Sequence, residues 1–243
     1  TALTPLSGPQ MTSERCAAHG LEYEPSLQWM REYVEVVRRI HRREVMDYVG
    51  ERVRSTHYRL GFEPHREHVP IWIAVLKPGM MRLSGEIADG MLMYFSPLAY
   101  VEVGVRAVAE GLDTAGRDRG EFDLALMIPT CVTDEPEAAR AIARKQVAWY
   151  NNLPFYNDMF ALAGFEKEAG QLRDAWAEIR ARDPEGNGWT QLDTGDTEQY
   201  VTDEMADAVV VIGDADHCAA RIEDYVAAGV DTPVVFPFGG YEP

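Results

Sequence analysis

The residues whose types and spacing could do chemistry lie in a short turn, Lys77-Pro78-Gly79, between a predicted strand and a predicted helix. Free N–H groups at the start of a helix, together with the helix dipole, form a site for anions. Lys77 would add a positive charge to such a site. A single glycine-containing turn is weak evidence, so two interpretations stay open at this point: an anion site, or a connection that binds nothing.

The segment from 69 to 95 predicts a complete strand–helix–strand unit around this turn. Ile71 to Leu76 is a nearly continuous apolar run, which is typical of a strand buried on both faces of a parallel sheet. Pro78 can open the helix, because its missing N–H would have no partner at that position, and Asp89-Gly90 ends it. The helix is predicted from apolar residues that recur at intervals of three and four: Met80, Leu83 and Ile87. The next strand runs from Met91 to Phe95.

The rest of the chain continues this alternation of strands and helices. A helix is predicted from about Leu27 to Ile40, and a short hairpin or irregular excursion between 45 and 60. Further strands are predicted at Phe122–Val132 and Pro233–Phe236, and Pro129 indicates an edge or a bulge in the first of them. No repeat and no second zone of composition interrupts the pattern. The sequence therefore predicts one α/β domain over the whole length of 243 residues.

Composition excludes several classes of partner and site. A net charge of −17 argues against nucleic acid and anionic membranes as partners of the surface as a whole. No apolar run has the length of a membrane span, and no signal peptide opens the chain. The three cysteines show no C-x-x-C pairing, which favours a reduced, cytoplasmic chain. The six histidines lack any zinc-binding spacing, so no metal site is predicted.

Three further features each have a functional and a structural interpretation. His19, in the loop before the first helix, could face a ligand or simply be solvated. The first helix has a basic face that could hold an anionic ligand tail or be a solvated surface; its members are Arg31, Arg38, Arg39, Arg42 and Arg43. The aromatic residues between Trp149 and Leu162 indicate packing or a subunit interface, with a substrate wall as the alternative.

Four segments of the sequence resemble the bacterial-luciferase-like oxidoreductases, in the family's order and at about its spacing. Residues 70–92 are similar to the family's usual P-I-Y-x-A-A-x-G-P-K-x-x-x-L-A-G-x-x-A-D-G; here they run P-I-W-I-A-V-L-K-P-G-M-M-R-L-S-G-E-I-A-D-G-M-L. The other three are M-R-E-Y-V-E-V-V-R-R-I at 30–40, A-G-R-D at 115–118 and A-A-G-V-D-T-P-V-V-F-P-F at 227–238. The resemblance covers nearly the whole chain from Pro25 onward. The A-G-R-D segment is most similar to the branch that uses coenzyme F-420.

This resemblance implies a TIM-barrel-type (β/α)8 fold. The matching segments correspond to the C-terminal half of the family fold. The early strands, with the non-proline cis peptide that backs the flavin ring, have no match. The expectation is therefore a fragment or a shortened barrel that apparently lacks the N-terminal strands and completes its sheet differently, for example through a partner subunit. Because a half barrel would have open edges and an exposed core face, we expect a homodimer.

The family's phosphate site maps onto the turn, through Leu76, Lys77, Pro78, Gly79 and Met80. Backbone N–H groups there would hold the phosphate of the cofactor. The family's order G-P-K is K-P-G in this chain. A positive charge is thus kept but displaced, and Lys77 replaces the glycine that lets a phosphate approach closely.

The resemblance makes an oxidoreductase the leading hypothesis, with hydride transfer between coenzyme F-420 and a small organic substrate. FMN, in a monooxygenase of the same family, is the alternative cofactor. The best visible candidate for a catalytic residue is His19. A second hypothesis is a cofactor-free, truncated relative that acts as a binding or structural dimer. A third is a sugar-phosphate barrel enzyme, because the same turn would suit a phosphate group.

Overall fold

The computed structural model of the chain describes residues 27–66, 68–182 and 194–238. His19, the candidate for catalysis, lies outside these residues. The chain divides into two compact units. The first unit comprises Thr1–Leu92 and Arg106–Asp123, and the second unit comprises Met93–Val105 and Leu124–Pro243.

Strands and helices alternate along the described residues. The strands are β1 (Met46–Val49), β2 (Arg54–Tyr58), β3 (Trp72–Ala74), β4 (Gly90–Tyr94), β5 (Asp123–Val132), β6 (Val211–Gly213) and β7 (Thr232–Pro237). The helices are α1 (Leu27–His41), α2 (Pro78–Ile87), α3 (Leu98–Ala115), α4 (Pro136–Tyr150), α5 (Pro154–Phe160), α6 (Glu166–Arg182), α7 (Asp203–Asp207) and α8 (Ala215–Ala227). Short helical turns lie at Arg119–Glu121, Ala161–Phe165 and Gly195–Tyr200.

The strand–helix–strand unit predicted around the turn is confirmed in the first unit. β3 and β4 are parallel, with Trp72 opposite Gly90 and Ala74 opposite Leu92. Ile73, in the middle of β3, is fully buried, as expected of a parallel strand. The regular pairing of β3 is shorter than the predicted Ile71–Leu76, because the residues on either side already lead into the flanking turns.

A hairpin in the first unit confirms the excursion predicted between 45 and 60. β1 and β2 pair antiparallel. The loop between them is held by the buried carboxylate of Glu32 on α1. This carboxylate accepts hydrogen bonds from the N–H groups of Glu51, Arg52 and Val53 at 2.8–2.9 Å. Gln28 adds a side-chain hydrogen bond at 2.9 Å.

The second unit contains three parallel strands, in which β6 and β7 both pair with β5. β7 pairs with β5 from Ala125 to Thr130, and β6 pairs with it from Thr130 to Val132. Because Thr130 is in register with a residue of each neighbour, β5 has a partner on both sides. The predicted bulge at Pro129 is absent from the pairing with β7, where Pro129 lies opposite Phe236 in an uninterrupted register, and the pairing with β6 begins one residue later at Thr130. A proline removes one ladder hydrogen bond, and the many other bonds of this ten-residue strand outweigh that loss.

Candidate functional site

The predicted anion turn lies at the start of α2 in the first unit. Lys77 is extended, with φ −97° and ψ 146°, and Pro78 occupies the first turn of the helix as predicted. The N–H groups of Met80 and Met81 both donate to the Lys77 carbonyl, at 3.0 and 3.1 Å. Within the described part of the chain, the Gly79 N–H has no hydrogen-bond partner. The turn therefore presents one unsatisfied donor at the positive end of a helix.

The surroundings of this donor suit an anion. The first turn of α2 contains no acidic residue, and the side chain of Lys77 is exposed. Among the described residues, a Cβ added at Gly79 would meet only Leu27 Cδ1, at an ordinary contact distance of 3.7 Å. Leu76 is buried and anchors the turn, whereas Met80 is half-buried. The five residues predicted for the phosphate site thus lie together at one helix start.

Asp89 organises the strand ends beside this helix, a role that sequence patterns did not reveal. Its carboxylate accepts from the Ile71 N–H at 2.7 Å and from the Arg38 guanidinium at 2.9 Å, and lies 2.9 Å from His68 Nε2. Burial opposes ionisation of Asp89, but the hydrogen bonds from Ile71 and Arg38 and the neighbouring positive charge outweigh it. The pKa of Asp89 therefore falls below its ordinary 3.8.

The residues of the A-G-R-D segment have structural roles in the first unit. Arg117 donates to the carbonyl oxygens of Gly85 and Ala88, at 2.8 and 2.7 Å, where α2 ends. A cation at this position also suits the negative end of the helix dipole. Asp118 accepts from the Gly120 N–H at 2.7 Å and so caps the following helical turn.

The basic face of α1 is engaged in ion pairs. Arg38 pairs with Asp89 and Arg42 with Glu44, at 2.9 and 2.7 Å. Two further pairs join Arg31 to Glu86 and Arg39 to Glu35. Four of the five arginines therefore already have carboxylate partners, which favours the structural interpretation of this face over a site for an anionic tail.

The aromatic residues of the second unit are packed against one another, and the packing interpretation of the Trp149–Leu162 segment accounts for most of them. The buried members of that segment are Trp149, Tyr150, Tyr156, Met159 and Phe160. Phe95 joins them, with its ring centroid 4.7 Å from that of Tyr150. Leu162 is exposed, with 64% of its surface accessible. We call the group of Tyr94, Phe95, Tyr150, Tyr156, Phe160 and Phe236 the aromatic cluster.

Two members of the aromatic cluster, Tyr94 and Phe95, lie at the end of β4. Tyr94 is the last residue of that strand and is half-buried. Phe95, which follows it, is fully buried and has φ 54°. A bulky residue in the left-handed region is an outlier that only strong surrounding packing sustains. Sequence patterns placed Phe95 in a strand and did not reveal this conformation.

Among the described residues, no group of three or more potential ligands could hold a metal ion. None of the helices that the structure describes is long and apolar enough to cross a membrane.

Comparison with known proteins identifies the family. The model of the luciferase-like monooxygenase family matches residues 7–232. The chain belongs to this family. The solved F-420-dependent tetrahydromethanopterin reductase from Methanopyrus kandleri superposes with a TM-score of 0.72 at 23% identity, over 95% of this chain and 66% of that one. This likeness confirms the predicted α/β fold of the TIM-barrel type.

Family members that resemble the chain differ in their cofactors. The chain is 31% identical over 228 residues to 5,10-methylenetetrahydromethanopterin reductase of Archaeoglobus fulgidus, a match that covers 92% of this chain and 63% of the relative. The oxygenating constituent of 3,6-diketocamphane monooxygenase from Pseudomonas putida, solved in complex with FMN, superposes with a TM-score of 0.54 at 17% identity, over 97% of this chain and 63% of that one. The chain thus spans less than two thirds of the length of these relatives.

Proposed function

We propose that this protein is an oxidoreductase in which coenzyme F-420 exchanges a hydride with a small organic substrate. The observation that carries the proposal is the 31% identity to a reductase over 92% of the chain. The start of α2, with its unsatisfied Gly79 N–H and no acidic residue in the first turn, supplies a matching anion site.

The coenzyme's phosphate would be held at the turn Leu76–Met80. The Gly79 N–H would donate to a phosphate oxygen, and the exposed ammonium group of Lys77 would neutralise part of its charge. Pro78 fixes the direction of the helix start and so orients both groups. The bound deazaflavin ring supplies the hydride, while the protein orients the ring and keeps water away.

FMN is the alternative cofactor, since it also carries a single phosphate that the same turn suits. Titration of the full chain with each compound, followed by fluorescence, separates the two. The proposal predicts saturable binding of F-420 that resists competition by FMN. Tight binding of FMN with no binding of F-420 would identify FMN as the cofactor. Binding of neither compound would overturn the oxidoreductase proposal.

The relative from Archaeoglobus fulgidus suggests the first substrate to test, 5,10-methylenetetrahydromethanopterin. Its reduction by reduced F-420 would be measured as an increase in the absorbance of oxidised F-420. Change of His19 to Ala tests the catalytic candidate: an unchanged turnover number with that substrate removes His19 from the mechanism.

A cofactor-free binding or structural dimer is the second candidate function. The buried positions of Trp149, Tyr150 and Phe160 leave exposed Leu162 as the apolar residue of that segment available to a partner. Light scattering on the full chain tests the predicted homodimer. A colourless dimer that takes up neither F-420 nor FMN would favour this candidate over the enzyme.

A further inference from the structure

The hydroxyl of Tyr94 occupies a special place in the aromatic cluster. The other tyrosines of the cluster, Tyr150 and Tyr156, are 4% and 1% exposed, whereas Tyr94 is half-buried. Tyr94 also ends β4, and enzymes built on parallel barrels carry their active sites at the carboxyl ends of the strands. Its side chain is therefore the one phenol of the cluster that can both pack and reach a ligand.

A hydrogen bond from Gln146 to the Tyr94 oxygen leaves the hydroxyl proton of Tyr94 able to donate to another group. Gln146 Nε2 donates to Tyr94 Oη at 3.4 Å. The ring of the neighbouring Tyr150 lies edge-on to that of Tyr94, with the two ring centroids 5.7 Å apart. Because an amide nitrogen can only donate, the bond from Gln146 uses a lone pair of Tyr94 and not its proton. The O–H of Tyr94 is then left to donate to something else.

The residue after Tyr94, Phe95, has a backbone conformation that is unfavourable for a bulky side chain. Phe95 has φ 54°, and its ring packs against those of Tyr150, Tyr156 and Phe160. The Ser96 hydroxyl donates to the Tyr94 carbonyl at 3.1 Å and further fixes the strand end. Strained conformations of this kind concentrate at ligand and active sites, where the geometry of a side chain matters more than local stability.

We propose that the Tyr94 hydroxyl is the hydrogen-bond donor of the active site, directed at a carbonyl oxygen on a flat heterocyclic ring of the bound coenzyme or substrate. This inference rests on the proposed function. The ring of Phe236, 6.0 Å from that of Tyr94, provides an adjacent apolar surface suited to such a flat ring. Burial raises the pKa of Tyr94, so its hydroxyl is protonated and able to donate at neutral pH.

The test compares Tyr94→Phe with Tyr156→Phe in the full chain. Both changes remove one hydroxyl from the aromatic cluster and keep the ring, so the packing is conserved. Affinity for F-420, and for 5,10-methylenetetrahydromethanopterin in the presence of F-420, is measured by fluorescence, together with the absorption maximum of the bound coenzyme. Loss of one hydrogen bond predicts that Tyr94→Phe weakens one of these affinities by about tenfold, while Tyr156→Phe leaves both unchanged.

The ligand that loses affinity identifies the acceptor. If F-420 is the acceptor, its absorption maximum also shifts in Tyr94→Phe; if the substrate is the acceptor, the spectrum stays as in the wild type. Unchanged affinity for both compounds in Tyr94→Phe, with normal binding by the wild type, overturns this inference alone. Failure of the wild type to bind either compound overturns the proposed function and this inference with it.

A double-mutant cycle tests the positioning role of Gln146. Gln146→Met removes the donor to Tyr94 Oη and keeps the length of the side chain. Its effect on affinity should be present with Tyr94 and absent in the Tyr94→Phe background, because the two groups act through one hydrogen-bonded pair. Equal effects of Gln146→Met in both backgrounds would show that Gln146 does not orient the Tyr94 hydroxyl.

Discussion

The guanidinium of Arg117 donates a hydrogen bond of 2.7 Å to the carbonyl oxygen of Ala88, one residue after α2 ends. This contact joins A-G-R-D and A-D-G, two segments that carry the family resemblance. Both residues, Arg117 and Ala88, have a structural role in it. The resemblance in this part of the chain therefore has a structural basis, since it includes residues that hold the end of α2.

Replacing Arg117 with Met should lower the free energy of unfolding by about 1–3 kcal/mol, because it removes a charged donor shared by two carbonyl oxygens near a helix end. Methionine keeps the length and apolar stem of the side chain. Urea denaturation followed by circular dichroism measures the difference. Arg182→Met is a matched control: that side chain is exposed and, among the described residues, pairs with Glu178 one turn away, so its loss should change stability by less than about 0.5 kcal/mol. Similar losses in both variants would contradict the helix-end role of Arg117.

The approach of α3 to α2 requires a residue without a side chain at Gly111. A Cβ at this position would lie 2.0 Å from the Arg82 carbonyl oxygen, and both atoms belong to rigid helical backbone. Gly111→Ala should therefore destabilise the protein by about 3 kcal/mol or more. Gly79→Ala is the contrasting change: with 3.7 Å of space in the first turn of a helix, it should be neutral or slightly stabilising. Thermal unfolding of the two variants gives the comparison, and a tolerated Gly111→Ala would mean that the helices do not approach this closely.

Glu32 makes the hairpin of the first unit sensitive to acid. The hydrogen bond from Gln28 and those from the loop N–H groups overcome the effect of burial and lower the pKa of Glu32 from 4.5 to about 2. A carboxyl whose pKa is lower in the folded than in the unfolded state stabilises the fold above the unfolded pKa, and this contribution is lost as the pH falls toward the folded pKa. Wild type should therefore lose stability between about pH 4.5 and 2 through this group.

Glu32→Gln removes this titration and should flatten that part of the stability profile. The measurement is the urea midpoint as a function of pH for wild type and variant. Glu35→Gln serves as the control on the same helix, since the half-buried Glu35 carboxylate pairs with Arg39, whereas the loop N–H groups donate to Glu32. If wild type and Glu32→Gln follow parallel curves between those two pH values, the loop N–H groups do not bind the ionised carboxylate as described.

The elements around the turn could be predicted from the sequence because their signals are local. The apolar run before Lys77 predicts β3, Pro78 marks the first turn of α2, and the strand predicted at Met91–Phe95 is offset by one residue from β4. These signals depend on neighbours in sequence, and the structure follows them to within a few residues.

Other features depend on groups distant in sequence and had no local signal. Asp89 binds Arg38 and the Ile71 N–H across 51 and 18 residues, and the pattern around it indicates only a helix end. β6 has three residues, too few for a periodic pattern. The left-handed conformation of Phe95 contradicts its residue type and arises from the packing of the aromatic cluster. The hydrogen bond from the Gln146 side-chain amide to the Tyr94 hydroxyl, across 52 residues, likewise has no local signal.

The most direct measurement of the central claim is a fluorescence titration of the full chain and its Gly79→Asp variant with F-420. Aspartate at Gly79 places a negative charge beside the one unsatisfied N–H of the turn, so affinity should fall about tenfold or more. Gly79→Ala should bind nearly as wild type, and Gly61→Asp, which adds the same charge at an exposed position with open space, should also leave affinity unchanged. Equal affinity of Gly79→Asp and wild type would contradict a phosphate site at this turn, and no binding by the wild type would contradict the proposed F-420-dependent activity.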